Sequence, residues 1–272
     1  MKRLISIVCI CLTVVGCSRS QTIISAYQGN GFYFTTENGN LYDYSGSLSK
    51  ISNGRINSAN ISKPNLLHTS TQSSVNIISS VGKIVFRHEP GKEVVSSVLN
   101  RDMTYVIYAA KSGDIYKYNR DTNQTESLGI KLYPIPRQMI LDEINEMIYY
   151  HDKSLVYRLD LNTSEVTVLT KVFFPIQSIA HNSYTNEIYF STSTDGKIYK
   201  VGQYIHTIFL VHEPISARGS TISIDSRCEN LFFSKSNGRD IQIKSLNLIT
   251  HDIEDVITLH NINYIDNLMV KD

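Results

Sequence analysis

The 272-residue sequence predicts an all-β protein, a β-propeller of six blades of about 41 residues with mixed-terminus closure. Three observations lead there. Short β-prone runs alternate with polar turns. Four separate landmarks recur at one period near 41. The composition favours strands and turns, with 17 Tyr, 9 Phe and no Trp.

The template of the repeat is Glu187–Val201, two β-prone runs around Asp195-Gly196. Asp-Gly supplies the positive φ angles that a tight hairpin requires. Within a unit the strands are expected near Gln177–Ala180 (A), Glu187–Ser191 (B), Lys197–Val201 (C) and His206–Val211 (D). An aromatic strand recurs as Ile107-Tyr108, Ile148-Tyr149, Ile188-Tyr189 and Leu231-Phe232, at spacings of 41, 40 and 43. The strand after the hairpin recurs at Tyr116, Tyr157, Tyr199 and Gln242. A polar residue closes the preceding strand at Asn100, Asp142, His181, Asp225 and Asp266. Prolines 90, 134, 175 and 214 punctuate the units, as befits a residue that cannot donate to a ladder. The runs are too short for helices and alternate with period two.

Taken in order, the chain opens on a targeting segment over residues 1–16. Met1-Lys2-Arg3 is basic and Leu4–Val15 is apolar, too short for a membrane span of ~20 residues. Val14-Val15-Gly16-Cys17 resembles the lipobox of bacterial lipoproteins. The resemblance implies cleavage before Cys17, lipidation of Cys17 and anchoring in a bacterial envelope, with Ser18 favouring the outer over the inner membrane. Residues 17–21 are then a short lipidated tether, and 22–272 the propeller. Phe32–Tyr44, turning at Asn38-Gly39, is a B–C hairpin. Ser45–Ser62 reads as a loop-rich edge, and 55–88 fits the repeat least well, which keeps a seventh blade as the alternative. Residues 90 to about 258 make four units. The piece Ile262–Val270 matches strands A and B and is expected to join the N-terminal strands.

The pattern of Asp, short turn, aromatic strand, hairpin and Ile-Tyr-Lys strand resembles YWTD-type and NHL-type six-bladed propellers. It is clearest over Ile224–Ile243, although the Trp of the YWTD motif is absent throughout.

Charge bounds the partners. Without Lys2 and Arg3 the chain keeps 24 basic and 25 acidic residues, and no basic stripe for nucleic acid stands out. Cys9 and Cys11 leave with the signal and Cys17 is acylated, so Cys228 has no disulfide partner in the chain and is expected to be a small filler.

The candidate site residues are the repeat's own polar set. Asn100, Asp142, His181, Asp225 and Asp266, if gathered at one channel mouth, suit a divalent metal. Calcium-dependent lactonase-type propellers use such a set. The competing reading is that each residue orders its own A–B turn. Two His-Glu-Pro tripeptides, at 88–90 and 212–214, lack metal-motif spacing and are expected to solvate blade edges. The Tyr series (108, 116, 149, 157, 189, 199) suits core packing better than a sugar-stacking platform. No cofactor is implied. The expected role is a non-enzymatic interaction scaffold, anchored to the membrane by its lipid, binding envelope proteins as part of an assembly or secretion system. A metal-dependent hydrolase or small-ligand binder, and an adhesin, are the alternatives.

Overall fold

In the computed structural model six four-stranded antiparallel sheets surround a central channel. The residues described are 31–52, 55–63, 66–194, 196–202, 208–212 and 219–271. Cys17, the tether, Asp195 and Pro214 lie outside them.

Strands β1 (Phe32–Thr36), β2 (Leu41–Tyr44) and β3 (Leu48–Ser52) supply B, C and D of blade 1. Blade 2 is β4 (Ser58–Lys63), β5 (Leu66–Ser70), β6 (Val75–Ser79) and β7 (Ile84–His88). Blade 3 is β8 (Val94–Leu99), β9 (Tyr105–Ala110), β10 (Asp114–Asn119) and β11 (Gln124–Lys131). Blade 4 is β12 (Gln138–Asp142), β13 (Met147–His151), β14 (Leu155–Asp160) and β15 (Val166–Lys171). Blade 5 is β16 (Ile176–Asn182), β17 (Glu187–Thr192), β18 (Ile198–Gly202) and β19 (Ile208–His212). Blade 6 is β20 (Ile222–Ile224), β21 (Asn230–Ser236), β22 (Ile241–Asn247) and β23 (Ile253–Leu259). Finally β24 (Ile265–Val270) pairs with β1 and becomes strand A of blade 1.

The mixed blade is therefore one strand from the C-terminus and three from the N-terminus. The sequence expectation gave the C-terminal piece both A and B. Only A comes from it, because Phe32–Thr36 already fills B. The loop-rich reading of 45–62 also gives way, since β3 and most of β4 lie there. Residues 58–88 form an ordinary blade, so the seventh blade is not needed.

Period-two alternation explains how the blades pack. Buried residues on facing sheets gather into six apolar clusters, each lying between two neighbouring blades. Between blades 6 and 1, for example, Phe232 meets Phe32 edge-on at 5.4 Å. Within four blades an aromatic on strand B lies directly opposite one on strand C. The pairs are Phe34 and Tyr42, Tyr108 and Tyr116, Tyr150 and Tyr157, and Phe190 and Tyr199. Their rings stack with centroids 4.7–5.4 Å apart. Such pairs add about 0.5–1.5 kcal/mol beyond area burial. The Tyr series thus packs: Tyr108, Tyr149, Tyr157 and Tyr189 are buried and Tyr116 and Tyr199 half-buried. The His-Glu-Pro histidines pack too, contrary to the edge-solvation expectation. His88 stacks on Tyr118 of the next blade at 3.9 Å, and His212 lies 5.2 Å from Phe233. An imidazole presents an apolar ring face, which the neighbouring aromatic covers.

Strand direction defines two faces. Strands A begin at an upper face, which also carries the D–A links and B–C turns. They end at a lower face with the A–B and C–D turns. Both ends of the described chain meet at the lower face, where the Lys271 N–H donates to the Gly31 carbonyl at 3.0 Å.

Candidate functional site

The inner strands β4, β8, β12, β16, β20 and β24 line the channel, with Ser58, Ser97, Met139, Ala180, Ser223 and Leu268 contributing one residue per blade. Its water-accessible volume is about 150 Å³. At ~30 Å³ per water that is room for a handful of solvent molecules.

Neighbouring inner strands are stapled by side chains rather than by a continuous ladder. The Gln138 amide imitates a strand: its Nε2 donates to the Ile179 carbonyl at 3.3 Å and its Oε1 accepts the Ile179 N–H at 2.9 Å. Thr221 Oγ1 donates to the Ile265 carbonyl at 2.5 Å, and Asn57 Nδ2 to the Val94 carbonyl at 3.1 Å. His68 Nε2 lies 3.1 Å from Ser97 Oγ. Replacing Gln138 with Leu leaves two backbone groups of β16 without partners. The expected cost is about 2 kcal/mol, read as a fall of ~6 °C in melting temperature. A melt unchanged by Gln138→Leu would show that water replaces the amide.

The recurrent polar residues close their own turns at the lower face. Asn100 Oδ1 accepts the Tyr105 N–H at 2.9 Å. Asp142 Oδ1 accepts the Asn145 N–H at 3.3 Å, and its Oδ2 accepts Asn145 Nδ2 at 2.8 Å. Asp225 Oδ1 accepts the Glu229 and Asn230 N–H groups at 2.9 and 3.1 Å. In blade 5 this position is Asn182, whose Oδ1 accepts from Tyr184 and Thr185, both at 3.0 Å. His181 is one residue earlier. Its Nε2 lies 3.7 Å from Asp142 Oδ2, with both side chains almost wholly buried. Burial pushes the His181 pKa down, against the opposing pull of Asp142.

Asp266 is at the other end of the channel. It is the second residue of β24, where strand A begins, and so belongs to the upper face. The five residues are thus not brought together: Asp142 and His181 meet, Asn100 and Asp225 hold separate turns, and Asp266 is remote. Among the described residues no three His, Cys, Asp or Glu side chains form a metal-binding group. Cys228 is half-buried, occupies a left-handed turn position at φ 58° and has its Sγ 3.6 Å from Ser183 Oγ.

The upper mouth is wider, about 320 Å³, and polar. Arg55, Arg137, Glu37, Asp266, His151 and Gln177 line it. Burial, then the nearby Glu37, push the Asp266 carboxyl upward. His151 is buried, and desolvation lowers its pKa to about 4. Its Nδ1 donates to the Asp152 carbonyl at 2.6 Å. Of these residues only Asp266 belongs to the recurrent polar set. The others do not recur, although the landmark prolines 90, 134 and 175 lie in links at this face.

Comparison with known proteins agrees at the level of fold. No known family profile matches the chain, and no curated protein matches it. A chain in the crystal structure of a nidogen/laminin complex is similar over 89% of this chain and 98% of its own length, with a TM-score of 0.68. The two are 10% identical, which supports a shared fold alone. The molecule is a six-bladed β-propeller.

Proposed function

We propose that this propeller is a lipid-anchored interaction scaffold of a bacterial envelope, serving an assembly or secretion machine by holding envelope proteins. The observation that carries the reading is the basic, then apolar, then Val14-Val15-Gly16-Cys17 order at the N-terminus, joined to a stapled ring whose faces are built of loops. The nominated acids support it as well, since Asp142 and Asp225 use their oxygens on their own turns.

The anchored segment enters the disc at one face. Thirteen residues, 18–30, separate Cys17 from Gly31. At full extension they reach ~45 Å. Gly31 leads into β1 at the lower face, so the anchored segment joins the disc there, with reach enough for either face to approach the membrane. Ser18 favours the outer membrane. Cys17→Ser is expected to move the protein from the membrane to the soluble fraction. Continued flotation of the variant with lipid would overturn the anchor, and a wild-type protein that crosslinks to no envelope protein in cells would overturn the scaffold.

A further inference from the structure

Aromatic side chains fully exposed on rigid loops are unusual outside contact surfaces. Two adjacent links on the upper face carry them. In the link from β11 to β12, Tyr133 is 92% exposed, with Ile135 beside it. In the link from β15 to β16, Phe173 is 103% exposed, followed by the exposed Phe174.

Both links are held in place. The Leu132 N–H donates to the Gly113 carbonyl at 2.8 Å and the Arg137 N–H to the His151 carbonyl at 2.9 Å. The Val172 N–H donates to the Ser154 carbonyl at 2.9 Å, and the Ile176 N–H to the Lys153 carbonyl at 2.6 Å. Pro134, Pro136 and Pro175 stiffen them further. Little ordering entropy then remains to be lost on contact.

The surrounding charge is mostly positive, with Asp114, opposite Lys131 across the sheet, and Asp152 as the neighbouring acids. Lys131, Arg137, Lys153 and Lys171 are exposed around the aromatics. Among the described residues none of the four has an ion-pair partner. Asp152 beside them is occupied by its own turn, accepting the Ser154 and Leu155 N–H groups at 2.7 and 2.8 Å. By contrast, the link from β7 to β8 reads Glu89-Pro90-Gly91-Lys92-Glu93, with no aromatic and with Glu93 paired to Lys111.

We infer that residues 131–137 and 171–175, with Lys153, form a docking surface for an acidic, aromatic-bearing segment of a partner protein. The inference deepens the scaffold reading and rests on it; the surface lies on the face opposite Gly31, from which the anchored segment leads. Complementary charge selects an acidic partner, and the aromatic tips supply apolar anchors. A bilayer surface is the competing occupant, which the titration below separates from a protein segment.

The chain contains no tryptophan, so Phe173→Trp installs a single reporter. The full-length lipoprotein with this substitution is placed in phosphatidylethanolamine–phosphatidylglycerol vesicles and titrated with a random Glu/Tyr copolymer. The expected result is a saturable blue shift of the indole emission, reversed by salt. Lys131→Glu, Lys153→Glu and Lys171→Glu together should weaken it at least tenfold while the melting temperature stays unchanged; polylysine should produce no shift. No shift with the copolymer, or an equal shift after charge reversal, overturns the proposal. Quenching of the indole by brominated lipid overturns it in favour of the membrane, and a shift driven by protein concentration alone overturns it in favour of a second copy. The same titration in detergent reads the surface without the anchor. Copolymer binding by a chain that fails to enter vesicles counts against the anchor and leaves the surface standing.

Discussion

Deletion of residues 265–272 is expected to abolish cooperative unfolding. The segment carries β24, and with it Ile265, Leu268, Met269 and Val270, all buried. At about 1.5–3 kcal/mol for each buried apolar side chain the loss is roughly 6–12 kcal/mol. That is comparable with the entire stability of an ordinary domain, about 5–15 kcal/mol. The deletion also frees the inner edge of β1 and removes the Ile265 carbonyl that Thr221 uses. Thermal melting should lose its sharp transition, and a synthetic peptide of residues 263–272 should restore it in trans. A truncated chain that still melts sharply would show that five complete blades suffice.

Acid should destabilise the ring well above the range in which carboxylates titrate. His68 is fully buried, and desolvation lowers its pKa to about 4; His151 behaves likewise. Unfolded, each titrates near 6.5. Between those values the unfolded chain binds more protons than the folded one, so stability falls as pH falls. The contribution is complete above pH ~7 and declines towards pH 4 by about 3 kcal/mol per histidine. Urea melts at pH 7 and pH 5 should differ by ~4 kcal/mol for the pair. In the His68→Gln, His151→Gln double variant the difference should shrink by about that amount, leaving the part due to His88 and His181, whose pKa values burial also lowers. The same pH slope in the variant would place the acid sensitivity elsewhere.

How much of this was legible in the sequence depended on repetition. The B–C hairpins and their aromatics recur, so the period gave six blades, and the observed β16, β17, β18 and β19 lie within a few residues of the expected strands. Phase was less legible than period. The blade 5 turn could be read from His181 or Asn182, and a one-residue slip exchanges the faces of a strand. Asp266 was misplaced in the same way, because a half-unit at a chain end has no following unit to fix its phase. Blade 2 was obscure because its strand B, Leu66–Ser70, carries no Tyr or Phe: His68 sits opposite Ile77 there. The upper mouth and its exposed aromatics were hidden for the opposite reason. Arg137, His151, Gln177 and Phe173 do not recur, and a search for periodicity discards what occurs once.

The mixed blade has a consequence for the order of events in the cell. Most strands pair with a neighbour a few residues away, but Asn267 Nδ2 donates to Thr35 Oγ1 across 232 positions. Closing so long a loop costs roughly 2 kcal/mol more than closing one blade. Contacts of that span form late. Blades 2 to 6 can therefore assemble as the chain emerges, whereas blade 1 waits for the last residues to appear. Until then its innermost strand presents bare N–H and C=O groups to its surroundings. The vulnerable species during folding is thus a C-shaped ring, still unsealed, and its open strand edge is what a chaperone would need to shield.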